Sequence, residues 1–397
     1  MAPPTTVVLV CGLDATLLDV AAAALPVEPG AARLTYRLAV GGDLPVLTRS
    51  LACGGEVQQD LLATTHGCLG CAIRADVAAV LEHRQGQASP LTVVLPVGSD
   101  PACLVDPLDL AAVAMGEGRG DQPLDEGQVL AARLAAVVCV VDAEALPELV
   151  ATDDVVGDTS FAHGAFGSRP VAEIVLESLA AADIVVLGGR VDADPDVDAT
   201  ARALVDHLAP HADVVPAGDP QALRAAVAAT EHDPTRTDVR HEPLATPPTS
   251  GTAAAGVITQ VWTTRRPLHP QRLFDALEPL AESVVRLEGP VWLAGRPHEL
   301  LRLSLAGGAA RVECVDAWLT DAPASVWDEV SPWRRLQSGL VWDPRDGDRH
   351  SRLVALTLGG SIEADRVLRS GRPSLARNQK SSIWRPDWAS DMFRTWW

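Results

Sequence analysis

Lysine is almost missing from this chain. Lys380 is the only one in 397 residues, although lysine and arginine together number 32. A GC-rich genome produces such a bias by turning lysine codons into arginine codons. Whatever its origin, no chemistry in residues 1–379 can use a side-chain ammonium. Aromatic residues are also scarce, at 4% with a single tyrosine. Alanine, valine and leucine therefore build the core, which favours helices packed on strands. No apolar run approaches the length of a membrane span. The opening stretch MAPPTTVVLVCGLDATLLDV has no basic leading region, so it does not read as a signal peptide. Seven cysteines, an odd number in a long chain, argue against a disulfide framework. The expected location is the cytoplasm, with reduced thiols and no membrane partner. The net charge of −20 gives no overall attraction to phosphate backbones, so direct DNA binding is not expected. Any ribosome contact has to be local.

What the chain has in quantity is a repeating order of strand and helix. Continuous apolar runs occur at TTVVLV (5–10), LTVVLPV (91–97), AAVVCVVD (135–142), ADIVVLGG (182–189) and ADVVPAG (212–218). Runs that do not alternate are the mark of strands buried on both faces of a parallel sheet. Helical stretches such as DATLLDVAAAAL and RADVAAVLEHR separate them. The pattern predicts a doubly wound, mostly parallel α/β sheet over residues 1–229, with ligands at the C-terminal strand ends. Residues 230–256 are rich in Pro, Thr, charge and small side chains and read as a linker. Residues 257–397 read as a smaller α+β domain with an antiparallel meander: a strand at GVITQVWTTRR, a helix from Pro270, then strands ending at SRLVALTLGG.

The first strand turns through glycine into a helix, the place where a P-loop belongs. A P-loop cradles phosphates with backbone N–H groups, a lysine and a Mg²⁺-holding Ser/Thr. Here the turn is Cys11-Gly12-Leu13-Asp14-Ala15-Thr16-Leu17. It has one glycine, no lysine, and an aspartate that repels phosphate and suits a helix N-cap. Thr16 is a weak candidate for a metal contact.

Cys68-Leu69-Gly70-Cys71 opens another helix. The spacing suits zinc, with His66 near enough to be a third ligand. It also suits a redox pair whose thiol the helix dipole activates, or two inert buried cysteines. Cys11, at the first turn, and Cys53 are further ligand candidates. Cys103, Cys139 and Cys314 stand isolated in the sequence, Cys139 within a strand. In the second domain, Arg265, Arg266, His269, Arg272, Arg296 and His298 suggest a locally basic surface. Trp262, Trp292 and Trp318 read as sheet packing, with a docking face for protein or rRNA as the alternative. Asp343, Asp346, Asp348 and His350 in WDPRDGDRH read as an Asx-bonded turn, with an oxygen-rich metal site as the alternative. Trp396 and Trp397 end the chain, and His163 reads as a loop residue.

Taken in order, these motifs resemble the CobW family of metal-handling P-loop GTPases. The series is strand-turn-helix, G-C-x-x-C-x-x-R-x-D, strand-G-x-D-P, V-V-x-V-V-D-A and A-D-x-x-V-L. RRPLHPQRL, GPVWLAGRPHELLRLSLAGGAARVE and WDPRDGDRH resemble the CobW C-terminal domain, and the likeness covers nearly the whole chain. The resemblance implies a P-loop-type sheet, zinc as the metal, and GTP with Mg²⁺ as the family's nucleotide. The family's metal motif is C-x-C-C; Cys68 and Cys71 match its outer cysteines, with Gly70 in place of the middle one. Its GxxGxGKT stands as GLDATLL, no glutamate precedes Gly98, and its N-K-x-D stands as Gly188-Gly189-Arg190-Val191, with Asp192 one position late. Loss at three motifs together implies a pseudo-GTPase with little or no hydrolysis, whose degenerate nucleotide positions are Gly12, Asp14, Thr16 and Asp192. The eroded motifs resemble an actinobacterial subgroup of zinc-responsive factors. That implies a zinc-homeostasis adaptor that recruits a ribosome hibernation factor to the small ribosomal subunit. The alternative is an active GTP-dependent chaperone that inserts zinc or another metal into a client.

Overall fold

The computed structural model describes residues 5–25, 30–41, 44–62, 69–84, 89–116, 132–156, 169–189, 194–249 and 253–359. They group into two compact units. One holds the described residues through His241, together with residues 253–257; the other holds Glu242–Thr249 and the described residues from Ile258 on.

The first unit is an α/β unit. Its strands are β1 (Thr5–Gly12), β2 (Ala32–Gly41), β3 (Leu44–Cys53), β4 (Glu56–Leu62), β5 (Leu91–Val94), β6 (Ala132–Asp142), β7 (Ile184–Gly188) and β8 (Asp213–Pro216). They lie in the order β4-β3-β2-β5-β1-β6-β7-β8. All neighbours from β2 to β8 run parallel. The expected doubly wound, mostly parallel sheet is therefore present. Its helices are α1 (Ala15–Ala24), α2 (Leu69–His83), α3 (Ala102–Gly116), α4 (Leu146–Leu149), α5 (Val171–Ala181), α6 (Pro195–Leu208), α7 (Pro220–Ala229) and α8 (Thr235–His241). Val7, Leu9 and Val10 of β1 are fully buried, as are Ala136, Val137 and Val138 of β6. Burying each larger aliphatic side chain contributes about 1.5–3 kcal/mol.

The antiparallel extension β2-β3-β4 is not among the strands the sequence predicts. Its last turn is legible in hindsight. Cys53 pairs with Glu56 around Gly54 and Gly55, whose φ values are +61° and +88°. Two central residues at positive φ define the hairpin turn that glycine favours. β4 itself is exposed at every residue but the last, so it shows no apolar face to detect.

The segment 230–256 that composition marks as a linker holds α8 and is anchored at both ends of its described part. His232 is buried in the first unit. In the second, Leu244 packs with Trp292, Leu300 and Trp318, and Arg302 donates to the Glu242 carbonyl at 2.6 Å.

The second unit has a five-stranded sheet of β9 (Val257–Thr264), β10 (Arg286–Leu293), β11 (Arg296–Ala306), β12 (Ala309–Ala317) and β13 (Ser351–Leu358), in the order β12-β11-β10-β13-β9. Helix α9 (Pro270–Ala281) lays Leu273, Ala276, Leu277 and Leu280 on it. Two further helices, α10 (Ala324–Glu329) and α11 (Pro332–Val341), follow β12. α11 is inside out. Arg334 and Ser338 face inward, while Trp333, Leu336 and Leu340 are exposed. The reason is Asp348, which is fully buried. It accepts from Leu319 N–H and Thr320 N–H, each at 3.0 Å, from Ser338 at 3.1 Å and from Arg334 at 3.2 Å. A buried carboxylate needs such partners. Asp343 Oδ1 accepts from Arg345 N–H at 2.8 Å. WDPRDGDRH is thus an Asx turn with a buried ion pair behind it. Trp292 and Trp318 are buried and Trp262 packs against the core, as the packing reading predicts. Arg296 and His298 are held by Glu299 and Asp321, each at 2.8 Å, which offsets part of the basic surface. No helix among the described residues is long and apolar enough to cross a membrane.

Candidate metal centre

The turn at the end of β1 carries Gly12, Asp14 and Thr16, the loop after β5 leads to Cys103 in α3, and Cys71 lies in α2, the helix that follows β4. At the end of β1 the chain turns tightly. Gly12 has φ +154°, and a Cβ there would lie 2.4 Å from the Val140 carbonyl oxygen. Glycine is what lets β1 come that close to β6. The Gly12 carbonyl accepts from Gly98 N–H at 3.1 Å. Asp14 then caps α1: its Oδ1 accepts from Leu17 N–H at 2.7 Å. A helix N-terminus binds an anion through such unpaired N–H groups. Here one of them already holds the chain's own carboxylate. Leu13 is buried, and Thr16 is exposed on the first turn of α1. Gly12, Asp14 and Thr16 do share this turn. Asp192 lies outside the described residues, as do His66, Cys68, His163, Trp396 and Trp397.

The cysteines separate into distinct environments. Cys11 is fully buried and lies opposite Cys139 in the β1–β6 register. A hydrogen bond with Cys139, together with burial, holds the Cys11 thiol well above its usual pKa. A neutral core thiol is a poor metal ligand, which counts against Cys11. Cys53 pairs with Ala32 at the start of β2, and Ala32 pairs with Leu91 at the start of β5. That is the end of the sheet opposite the starts of α2 and α3, so Cys53 is not brought to the CxxC. Cys314 is exposed on β12 in the second unit.

Cys71 and Cys103 are different. Cys71 is the third residue of α2, half-buried, and its Sγ accepts from the Arg74 guanidinium at 3.7 Å. Cys103 is the second residue of α3 and also half-buried. A Cβ at position 70 would lie 3.1 Å from the Cys103 Cβ. Both sulfurs thus sit on the first turns of helices, where the macrodipole favours thiolate over thiol. Cys103 is isolated in the sequence and adjacent to the CxxC helix in space. Soft thiolates at a half-buried junction fit zinc. Among the described residues, no three His, Cys, Asp or Glu side chains stand close enough to hold a metal by themselves.

Beside Cys103, Asp100 caps α3 by accepting from Ala102 N–H at 2.9 Å. Its other oxygen pairs with Arg169 at 2.5 Å, and Arg169 also reaches Glu173 at 2.8 Å and Glu177 at 3.1 Å. Burial and then Asp100 raise the Glu177 pKa to about 7. Arg169, Glu173 and Glu177 follow one another at helical spacing into α5, while Asp100 comes from the start of α3, 69 residues from Arg169 in sequence.

Comparison with known proteins identifies the family. Residues 257–370 match the cobalamin synthesis protein cobW C-terminal domain. A zinc chaperone of Mycobacterium tuberculosis, Rv0106, is 31% identical over 361 residues, covering 89% of this chain and 84% of that one. The chain belongs to the CobW family. An uncharacterized protein of Mycobacterium bovis matches this family member with the same identity and coverage. The Zn(II)-bound YjiA GTPase from E. coli aligns with 93% of this CobW chain and 98% of its own, at 15% identity and a TM-score of 0.34.

Proposed function

We propose that this protein is a cytoplasmic zinc metallochaperone that works as a zinc-dependent adaptor, with little or no use of GTP. Zinc is its cargo and its signal. Cys68 and Cys71 hold it, with His66 as a further candidate ligand. The observation that carries the reading is the contrast between two turns. At the β1–α1 turn, Asp14 caps the helix and Leu17 packs on Gly188, where a nucleotide phosphate would need open N–H groups and a cation. At the α2 turn, Cys71 is half-buried beside an arginine, which favours the thiolate a metal requires. The residues present fit a soft metal and do not fit Mg²⁺–GTP. The M. tuberculosis relative, named as a zinc chaperone, supports the choice of metal.

In this reading zinc occupancy fixes the segment that opens α2 and so changes a surface offered to a partner protein. The partner is a ribosome hibernation factor and its destination the small ribosomal subunit, a reading supported by the motif resemblance. Metal binding displaces thiol protons, so loading weakens as pH falls. Affinity capture with purified hibernation factor and ribosomes, with zinc or with chelator, tests it. Capture that needs zinc and disappears in the double variant Cys68→Ser, Cys71→Ser supports the adaptor. Capture indifferent to zinc and to both substitutions sinks it.

A further inference from the structure

We propose that β4 is a self-association edge: two copies of this chain pair antiparallel along β4, joining their sheets about a two-fold axis at Gln59. The inference is independent of the zinc reading.

The starting observation is an edge strand without protection. β4 ends its sheet, with β3 as its one neighbour there. Its register with β3 is unbroken from Leu47 opposite Leu62 to Cys53 opposite Glu56. Every residue but the last is exposed, Val57 at 62% and Leu61 at 72%. The sequence EVQQDLL has no proline and no basic residue. Short length, proline, lysine and bulges are what normally keep an edge from pairing. The opposite edge of the same sheet has two of these devices, because β8 is four residues long and ends in Pro216.

Backbone direction decides which groups the edge offers. In a two-residue hairpin the residues flanking the turn form a hydrogen-bonded pair, and the two kinds of pair then alternate. Cys53 and Glu56 flank the Gly54-Gly55 turn. Glu56, Gln58, Asp60 and Leu62 therefore turn their N–H and C=O toward β3. Val57, Gln59 and Leu61 turn theirs to the open edge. The side chains of these three share one face and line a groove together with Asp19 and Ala22 of α1.

The pattern of β4 fits a second copy. A two-fold axis through Gln59 overlaps the whole strand. It sets Val57 against the partner's Leu61 and Gln59 against the partner's Gln59, with about six N–H···O bonds between the outward groups. On the other face Gln58 meets the partner's Asp60, and Glu56 meets the partner's Leu62. Apolar side chains meet apolar ones, and no like charges stand directly opposite. Arg49, 3.5 Å from Asp60, offsets its charge. Pairing of one surface with itself about a two-fold axis is the commonest way soluble chains associate. The net charge of −20 on each copy opposes it, so association strengthens as salt screens that charge.

The test is sedimentation velocity of the full chain over a concentration series, with chelator present so that metal plays no part. The expected result is a reversible monomer–dimer equilibrium. It shifts toward dimer as salt rises from about 0.01 M to about 1 M, which shortens the Debye length from about 30 Å to about 3 Å. Val57→Glu and Leu61→Lys each weaken association at least about tenfold, by burying an unpaired charge at the seam. The double variant restores it, because in this register each altered position 57 faces an altered position 61 and opposite charges meet. Gln59→Cys gives a disulfide-linked dimer on mild oxidation, since Cα atoms of a hydrogen-bonded antiparallel pair are about 5.5 Å apart. Gln58→Cys does not, because its own copy lies two positions along the strand. Both apolar side chains are largely exposed, so the substitutions leave the fold intact, and circular dichroism checks this. A wild type that stays monomeric at every concentration and salt leaves β4 to a strand of another protein and overturns the inference. A dimer indifferent to Val57→Glu and Leu61→Lys, with no cross-link through Gln59→Cys, uses another surface and overturns it as well.

Discussion

Leu17 lies against Gly188: a Cβ at residue 188 would meet the Leu17 Cδ1 at 2.6 Å. The contact joins the first turn of α1 to the end of β7. Side chain fills the ground between the β1–α1 turn and the segment where a guanine motif would begin.

Gly188→Ala tests how tightly this contact is set. The added methyl must displace Leu17 or part β7 from α1. Overpacking of this kind costs about 1–3 kcal/mol. Urea unfolding of the variant should show a lowered midpoint with an unchanged slope. A variant as stable as wild type would mean that Leu17 moves away freely and that the turn can open.

A second prediction concerns pH. His232 is buried between two carboxylates, 2.7 Å from Asp183 and 2.9 Å from Asp109. Arg236 also bonds Asp183 and approaches the imidazole at 3.2 Å. Burial opposes the imidazolium, but the bonds to Asp109 and Asp183 outweigh it and raise the His232 pKa to about 9. A raised folded-state pKa means stability fully present below about pH 6.5 and lost as pH rises through about 9. The full effect is on the order of 3 kcal/mol. Melting temperature should therefore decline between pH 6.5 and pH 9.5. In His232→Gln the decline should flatten, from a lower starting value. A wild-type melting curve indifferent to pH in that range would contradict the clamp.

The inside-out helix α11 makes the third prediction. Asp348→Asn keeps the shape but removes the charge facing buried Arg334. Breaking a buried pair from one side costs about 3–5 kcal/mol. The second unit should unfold well before the first, seen as a split calorimetric transition. Loss near zero would mean that Asp316, 3.3 Å from Arg334, suffices alone.

What could be read from the sequence follows what each feature depends on. The parallel strands were visible because residues buried on both faces must be apolar in continuous runs, as in β1 and β6. β4 was not, because nearly all of it faces solvent. The CxxC was legible as spacing, since Cys68 and Cys71 are three residues apart. Cys103 was not, because its neighbour at residue 70 is brought to it by packing of α2 on α3. His232 was hidden for a similar reason. Its neighbours in sequence are polar and proline-rich, and its partners Asp183 and Asp109 are 49 and 123 residues away. The role of Asp14 as a cap was readable locally, because capping is decided within one turn.

The most direct measurement is a pair of calorimetric titrations of the purified chain, Zn²⁺ on one side and Mg²⁺–GTP on the other, each repeated with the other ligand present. The account predicts one zinc per chain and no heat from GTP under either condition. Asp14→Ala should cost about 1 kcal/mol of stability as a lost cap and should not create GTP binding. Saturable, Mg²⁺-dependent GTP binding by the wild-type chain would contradict the account, because it would require Asp14 and Leu17 to leave the positions they hold.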